Sequence, residues 1–153
     1  MEIIQELYAL ADALAENDIP YAICGGLAVA IHGRPRMTVD IDLVVPSEFI
    51  EKAAEIAQEL GFDDVAGWVK LSKSELGIDR LYRINKLQGK DFLTLDILEA
   101  DSAENSIFAD RQMFQLERRQ LSVLSKQALI RMKKGTGRTQ DQLDVEMLTD
   151  EIE

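Results

Sequence analysis

The sequence predicts a mixed α/β (α+β) domain, with helices flanking a mixed β-sheet. Three observations carry this. Apolar residues recur at helical spacing in some stretches and alternate at strand spacing in others, and the two kinds interleave along the chain. Several strands are one-sided, apolar on one face and polar on the other, as in sheets covered unequally on their two faces. The 153 residues, 46% apolar and 29% charged, suit one globular domain and are too few for two ordinary ones. The chain is therefore read as a single domain over 1–153, with a core at about 20–100 and C-terminal helices at about 125–150.

Each element follows from a local pattern. Ile3, Leu7, Leu10, Ala11 and Leu14 form a helical stripe between Glu2, Glu6, Asp12 and Glu16. Asn17-Asp18-Ile19-Pro20 ends that helix, because a proline restricts the residue before it and cannot continue the turn. Tyr21 to Cys24 is a short buried strand, Gly25-Gly26 a turn, and Leu27 to Ile31 a short helix closing at Gly33. A basic loop, Arg34-Pro35-Arg36-Met37, follows. Thr38 to Val45 is the clearest strand, with Val39, Ile41, Leu43 and Val45 pointing one way and Asp40, Asp42 and Val44 the other.

Pro46-Ser47 opens a helix with Phe49, Ala53, Ile56, Ala57 and Leu60 on its apolar stripe and Gly61 at its cap. Gly67 to Leu71 and Leu81 to Lys86 read as two antiparallel strands across a polar loop. Phe92 to Leu98 is another strand, with Leu93, Leu95 and Ile97 on one side and Thr94 and Asp96 on the other. A short helix is expected at 102–110 and one edge strand within Met113 to Leu124. Ser125 caps a helix running to Lys134, Gly135-Thr136-Gly137 breaks it, and Thr139 with Gln142 has capping-box spacing for a last helix.

Composition excludes several chemistries. One cysteine and one histidine allow neither an internal disulfide nor a Cys/His zinc cluster. Cys24 reads as a small buried apolar residue and His32 as structural. With 28 acidic against 17 basic residues the net charge is −11, which repels phosphate backbones and disfavours broad nucleic-acid binding, while leaving room for a local basic pocket. No apolar run approaches the roughly 20 residues that span a bilayer. The start, Met1-Glu2-Ile3-Ile4, lacks the basic and apolar regions of a signal peptide, so a cytoplasmic protein is expected.

The informative block is Cys24-Gly25-Gly26, thirteen residues, then Asp40-Ile41-Asp42. Residues i and i+2 of a strand share a face, with Cα atoms roughly 7 Å apart. Two carboxylates so placed can flank a pair of divalent ions about 3.5–4 Å apart. Core packing explains Val39, Ile41 and Leu43 but gives no reason for two acids on the other face, where they repel unless they meet water or cations. The glycine turn exposes backbone N–H groups beside the positive end of the next helix, a setting for a triphosphate tail. Thr38, Arg34 and Arg36 stand near in sequence as further phosphate contacts, though the two arginines read first as solvated loop charges or ion-pair partners. Asp96 completes a three-carboxylate set if its strand neighbours that of Asp40 and Asp42, and would then orient or deprotonate an attacking hydroxyl. Taken singly, a Gly-Gly pair is a turn and an Asp-x-Asp a solvated strand edge; their joint spacing points to phosphate and metal.

With its Gly-Gly, its Asp-Ile-Asp thirteen residues on and a later strand Asp, the chain resembles the nucleotidyltransferase superfamily, with its polymerase beta-like fold. The stretch Gly25-Gly26-Leu27-Ala28 to Arg36-Met37-Thr38-Val39-Asp40-Ile41-Asp42-Leu43 is similar to the small stand-alone branch that includes abortive-infection-type nucleotidyltransferase toxins. So is the tail, with Leu121-Ser122-Val123-Leu124, Leu129-Ile130-Arg131-Met132-Lys133, Gly137-Arg138, Asp141 and Asp144. The resemblance implies that Gly25 and Gly26 bind nucleotide phosphates, that Asp40, Asp42 and Asp96 bind two Mg²⁺ ions, and that Lys133 touches the triphosphate. Asp141 and Asp144, three apart on one helical face, would orient Lys133, Arg138 or the substrate; the plainer reading is first-turn acids favoured by the helix dipole. Gly26 departs from the family, where many members carry Ser, and so lacks a hydroxyl contact to phosphate. A long C-terminal substrate domain is also not expected.

The implied reaction is transfer of a nucleoside monophosphate from an NTP to an acceptor hydroxyl, with release of pyrophosphate. The acceptor class is left open between RNA, protein and a small molecule such as an aminoglycoside, and the base of the NTP is not identified. A homodimer or a toxin–antitoxin partner fits the small size. The alternative is a non-catalytic nucleotide-binding antitoxin or regulatory module acting with a partner protein.

Overall fold

Alternation along the strands dictates which side chains share a face, and the sheet they build organises the molecule. A computed structural model describes residues 1–33, 38–71 and 76–133, with Lys133 described in its backbone only. Helix α1 (Ile3–Glu16) buries Leu7, Leu10, Ala11 and Leu14 along one stripe. It ends where Asn17 donates its side-chain amide to the Ala13 carbonyl at 2.8 Å. Strand β1 (Ala22–Cys24) is wholly buried. Helix α2 (Gly25–Ile31) begins at Gly25 itself, two residues earlier than the sequence reading, because Gly25 at φ +67° turns the chain directly out of the strand.

Strand β2 (Asp40–Pro46) passes through a short 3-10 turn into α3 (Ile50–Glu59), which buries Ile50, Ala53, Ile56 and Ala57. Gly61 follows at φ +102°, in the left-handed conformation expected of a helix cap. Strands β3 (Asp64–Lys70), β4 (Arg80–Gln88) and β5 (Asp91–Ala100) come next. Then come helix α4 (Ser106–Ala109), strands β6 (Arg111–Leu116) and β7 (Arg119–Leu124), and helix α5 (Lys126–Lys133). Ser125 caps α5 as expected, its Oγ accepting from the Ala128 N–H at 3.0 Å.

Seven strands of the described residues form one mixed sheet in the order β3-β4-β5-β2-β1-β7-β6. Strand β2 runs parallel to β5 and β1 parallel to β7, while the other pairs are antiparallel. Ile41, Leu43 and Val45 of β2 share a face with Leu95 and Ile97 of β5, and all five are buried. Helices α1 and α3 pack on that side, where Lys86 of β4 reaches Glu6 of α1 at 2.8 Å and Arg119 of β7 reaches Asp12 at 3.2 Å.

Three expectations are refined by the structure. The edge strand expected within Met113 to Leu124 is present as β6, and it pairs in a hairpin with β7, a buried strand beside β1 that the sequence reading did not separate. Its two-residue turn, Glu117-Arg118, puts Glu117 at φ +54° without the glycine or asparagine that usually marks such a turn. Val39 does not join the core row; it lies just before β2 and is 72% exposed. The helix expected over 102–110 is a single turn, held by Asn105, whose Oδ1 accepts from the N–H groups of Ile107 and Phe108. The expected break at Gly135-Thr136-Gly137 and the last helix lie outside the described residues. No helix among the described residues is long and apolar enough to cross a membrane.

Candidate active site

The parallel register of β2 with β5 pairs Asp42 with Asp96 and Asp40 with Thr94. Neighbouring strands lie about 4.8 Å apart, so Asp42 and Asp96 stand side by side, with Asp40 one step of about 7 Å along the same face. The structure thus brings together the three carboxylates named from the sequence. Beyond them the face turns dry, since Val44 and Leu98 are buried. Toward its open end it stays polar: Thr94 donates its hydroxyl to Asn85 at 2.8 Å, and the Asn85 amide reaches Asp64 at 3.3 Å.

One further residue of this face escaped the sequence reading. The β4–β5 register sets Arg83 directly opposite Asp96. Its Nε donates to Asp96 Oδ1 at 2.8 Å and its Nη2 to Oδ2 at 3.0 Å, a two-pronged ion pair that engages both oxygens. Asp96 is only 6% exposed. The hydrogen bond to Asp96 raises the Arg83 pKa against the opposing effect of burial, and the charges of Asp96, Asp40 and Asp42 add to the rise. The Asp40 pKa is also raised, first by burial and then by the Asp96 charge, with Arg83 partly offsetting both. Arg83 thus feels all three carboxylates, and Asp40 feels both Asp96 and Arg83.

The glycine corner closes the other side. Cys24 of β1 pairs with Asp42, so Gly25 follows immediately beside that carboxylate. A Cβ added at Gly25 would overlap the Asp42 side chain, meeting its Cγ at 2.9 Å. Only a glycine permits both this approach and the φ of +67°. Gly26 is buried in the first turn of α2. Thr38 lies two residues before Asp40 and donates its hydroxyl to the Asp40 carbonyl at 3.3 Å. Lys133 ends α5, and its side chain lies outside the described residues, as do Arg34, Arg36, Arg138, Asp141 and Asp144. His32 is structural, as read: its Nε2 meets the Leu124 carbonyl at 2.8 Å and its ring packs edge-on to Phe114 at 4.9 Å. Cys24 is buried.

Among the described residues no group of three or more His, Cys, Asp or Glu side chains stands ready-formed around an ion. Asp96 instead gives both oxygens to Arg83. The donor set nevertheless fits a hard divalent cation. Carboxylate oxygens suit Mg²⁺, and the raised Asp40 pKa shows that crowding and burial still disfavour its charge with Arg83 in place.

No protein-family model matches the chain, and no curated protein matches its sequence. Solved structures do match. A lincosamide antibiotic adenylyltransferase, LnuA, in a lincomycin-bound crystal structure, superposes at a TM-score of 0.67 with 16% identity over 95% of each chain. The antibiotic-resistance factor ANT(2'')-Ia in solution superposes at 0.66 with 21% identity, over 100% of this chain and 86% of that one. A Thermotoga maritima protein classed as a candidate nucleotidyltransferase superposes at 0.64 with 16% identity, over 97% and 93%. The resemblance to the abortive-infection-type branch gains no support from these structures. With its mixed sheet, its carboxylate pair in register and its glycine corner, the chain has the nucleotidyltransferase fold.

Proposed function

We propose that this chain is a metal-dependent nucleotidyltransferase that moves a nucleoside monophosphate from an NTP to the hydroxyl of an acceptor. The observation that carries the reading is the register of Asp42 with Asp96, which sets three carboxylates on one sheet face beside a glycine whose φ and close approach to Asp42 disfavour any side chain. Asp40 and Asp42 would hold the divalent ions, with Asp96 joining them. Bound Mg²⁺ would supply Lewis-acid polarisation of the α-phosphate and neutralise the leaving pyrophosphate. Gly25 and Gly26 would present the backbone N–H groups at the start of α2 to the triphosphate. The acceptor oxygen forms a bond to the α-phosphorus, the bond from that phosphorus to the bridging oxygen of the β-phosphate breaks, and pyrophosphate leaves with its electron pair. Asp96 orients the hydroxyl and takes its proton.

A small hydroxylated acceptor and AMP as the transferred group are supported by two of the similar structures, an adenylyltransferase with lincomycin bound and ANT(2'')-Ia in complex with adenylyl-2''-tobramycin. The net charge of −11 suits a cationic acceptor. The test is transfer of label from α-labelled ATP to a panel of aminoglycosides and lincosamides, and to cellular RNA and protein, with Mg²⁺. Asp40→Asn and Asp42→Asn should each lower transfer at least a hundredfold; unchanged transfer excludes the metal role. A second reading, nucleotide binding without turnover beside a partner protein, draws on the closure of Arg83 over Asp96. ATP binding with no label on any acceptor would favour it.

A further inference from the structure

We propose that Arg83 is the resident counter-cation of the carboxylate face, and that it lets go of Asp96 when a divalent ion enters. This rests on the metal-dependent reading above. Four observations support it. Arg83 donates to both oxygens of Asp96, one bond to each, so its positive charge sits against the carboxylate an ion would seek. The two partners are unequally held: the Asp96 side chain is 8% exposed and the Arg83 side chain 40%, so the arginine is the partner free to move into solvent. Its neighbour across β3 is Gly67, where an added Cβ would meet no atom within 4 Å, so there is open space beside it.

The fourth observation is a contrast with three other cations of the sheet. Arg80 pairs with Glu99 and lies 3.7 Å over the Trp68 ring. Arg119 pairs with Asp12 and lies 4.5 Å over Tyr8. Lys86 pairs with Glu6 and sits 5.8 Å over Phe62. Each is held by a carboxylate and a ring face. Among the described residues no ring packs on Arg83, so its anchorage is Asp96.

The physical role follows. Three carboxylates on one face repel one another, and a guanidinium spreads enough positive charge to keep the empty site folded. A divalent ion carries more charge in less space, and displaces the arginine at the cost of breaking its two hydrogen bonds. Arg83 is in this sense a positioning residue that sets how tightly the site takes metal. In its absence an ion meets a more negative Asp96 and does not compete with Arg83 for it.

The experiment is a Mn²⁺ titration without nucleotide, followed by electron paramagnetic resonance of the free ion, for wild type, Arg83→Lys and Arg83→Gln. Arg83→Gln should bind about tenfold more tightly than wild type, a change of about 1.4 kcal/mol, with Arg83→Lys between them. Equal affinity within twofold, or weaker binding in Arg83→Gln, overturns the proposal while leaving the metal reading intact. No Mn²⁺ binding by wild type and Arg83→Gln alike overturns the metal reading and this proposal together. Should Arg83→Gln fail to fold, the wild-type protein still decides. The ¹⁵Nε resonance of Arg83 should shift on saturation with Mg²⁺, and a resonance that stays in place at saturation overturns the proposal.

Discussion

The two faces of the β2–β5 pair are built from alternate residues of the same two strands, yet they obey different physics. On one face Ile41, Leu43, Val45, Leu95 and Ile97 are sealed beneath α1 and α3. There, burial of apolar area and close packing stabilise the fold. On the other, Asp40, Asp42 and Asp96 crowd their charges around Arg83. That arrangement is held against its own repulsion by the strands beneath it, as strained functional groups usually are. The difference teaches that stability and chemistry sit one residue apart along the chain, and single substitutions should separate them.

The largest effect on stability is expected on the dry face. Ile97→Ala empties a site that is 1% exposed and should cost about 3 kcal/mol. It would show as a lower urea midpoint with an unchanged slope, while folded molecules keep the metal binding proposed above. A smaller loss is expected at the corner between the faces. Gly25→Ala combines a positive φ with overlap on Asp42, and should cost about 2 kcal/mol while also weakening nucleotide binding.

The smallest effect has the opposite sign. Asp40→Asn should raise the melting temperature of the metal-free protein, because burial and Asp96 disfavour the Asp40 charge. Asp40 is only half-buried and solvent-screened, so the gain stays below about 1 kcal/mol. The sign in pH follows from a folded-state pKa raised above the unfolded 3.8. The ionised form is penalised in the fold, so the advantage of Asp40→Asn is full at neutral pH. It shrinks as pH falls through the raised pKa and is gone below 3.8. Parallel melting curves of wild type and variant across pH would check this; an advantage growing toward acid contradicts it.

Much of this division was legible in the sequence, because strand alternation is a local signal. Asp40-Ile41-Asp42 and Leu95-Asp96-Ile97 show which side chains face which way before any strand is paired. Arg83 was illegible for the opposite reason. Arg80 and Arg83 look alike along β4, and pairing register sends them to Glu99 and Asp96, while helix packing brings Glu6 of α1 to Lys86. A signal was present in Gly89, at φ +61°, which with Lys90 makes a two-residue hairpin turn between Gln88 and Asp91. Counting back from that turn sets Arg83 opposite Asp96. The β6–β7 hairpin gave no such cue, since Glu117-Arg118 carries no turn residue and its left-handed Glu117 is imposed by the pairing on either side.

If the carboxylate face recognises a metal-bound nucleotide, calorimetric titration of ATP with Mg²⁺ and then with chelator will separate wild type from Asp42→Asn. Binding should need Mg²⁺ and weaken at least tenfold in Asp42→Asn. Equal affinity in the two proteins, or binding indifferent to chelation, would contradict that recognition.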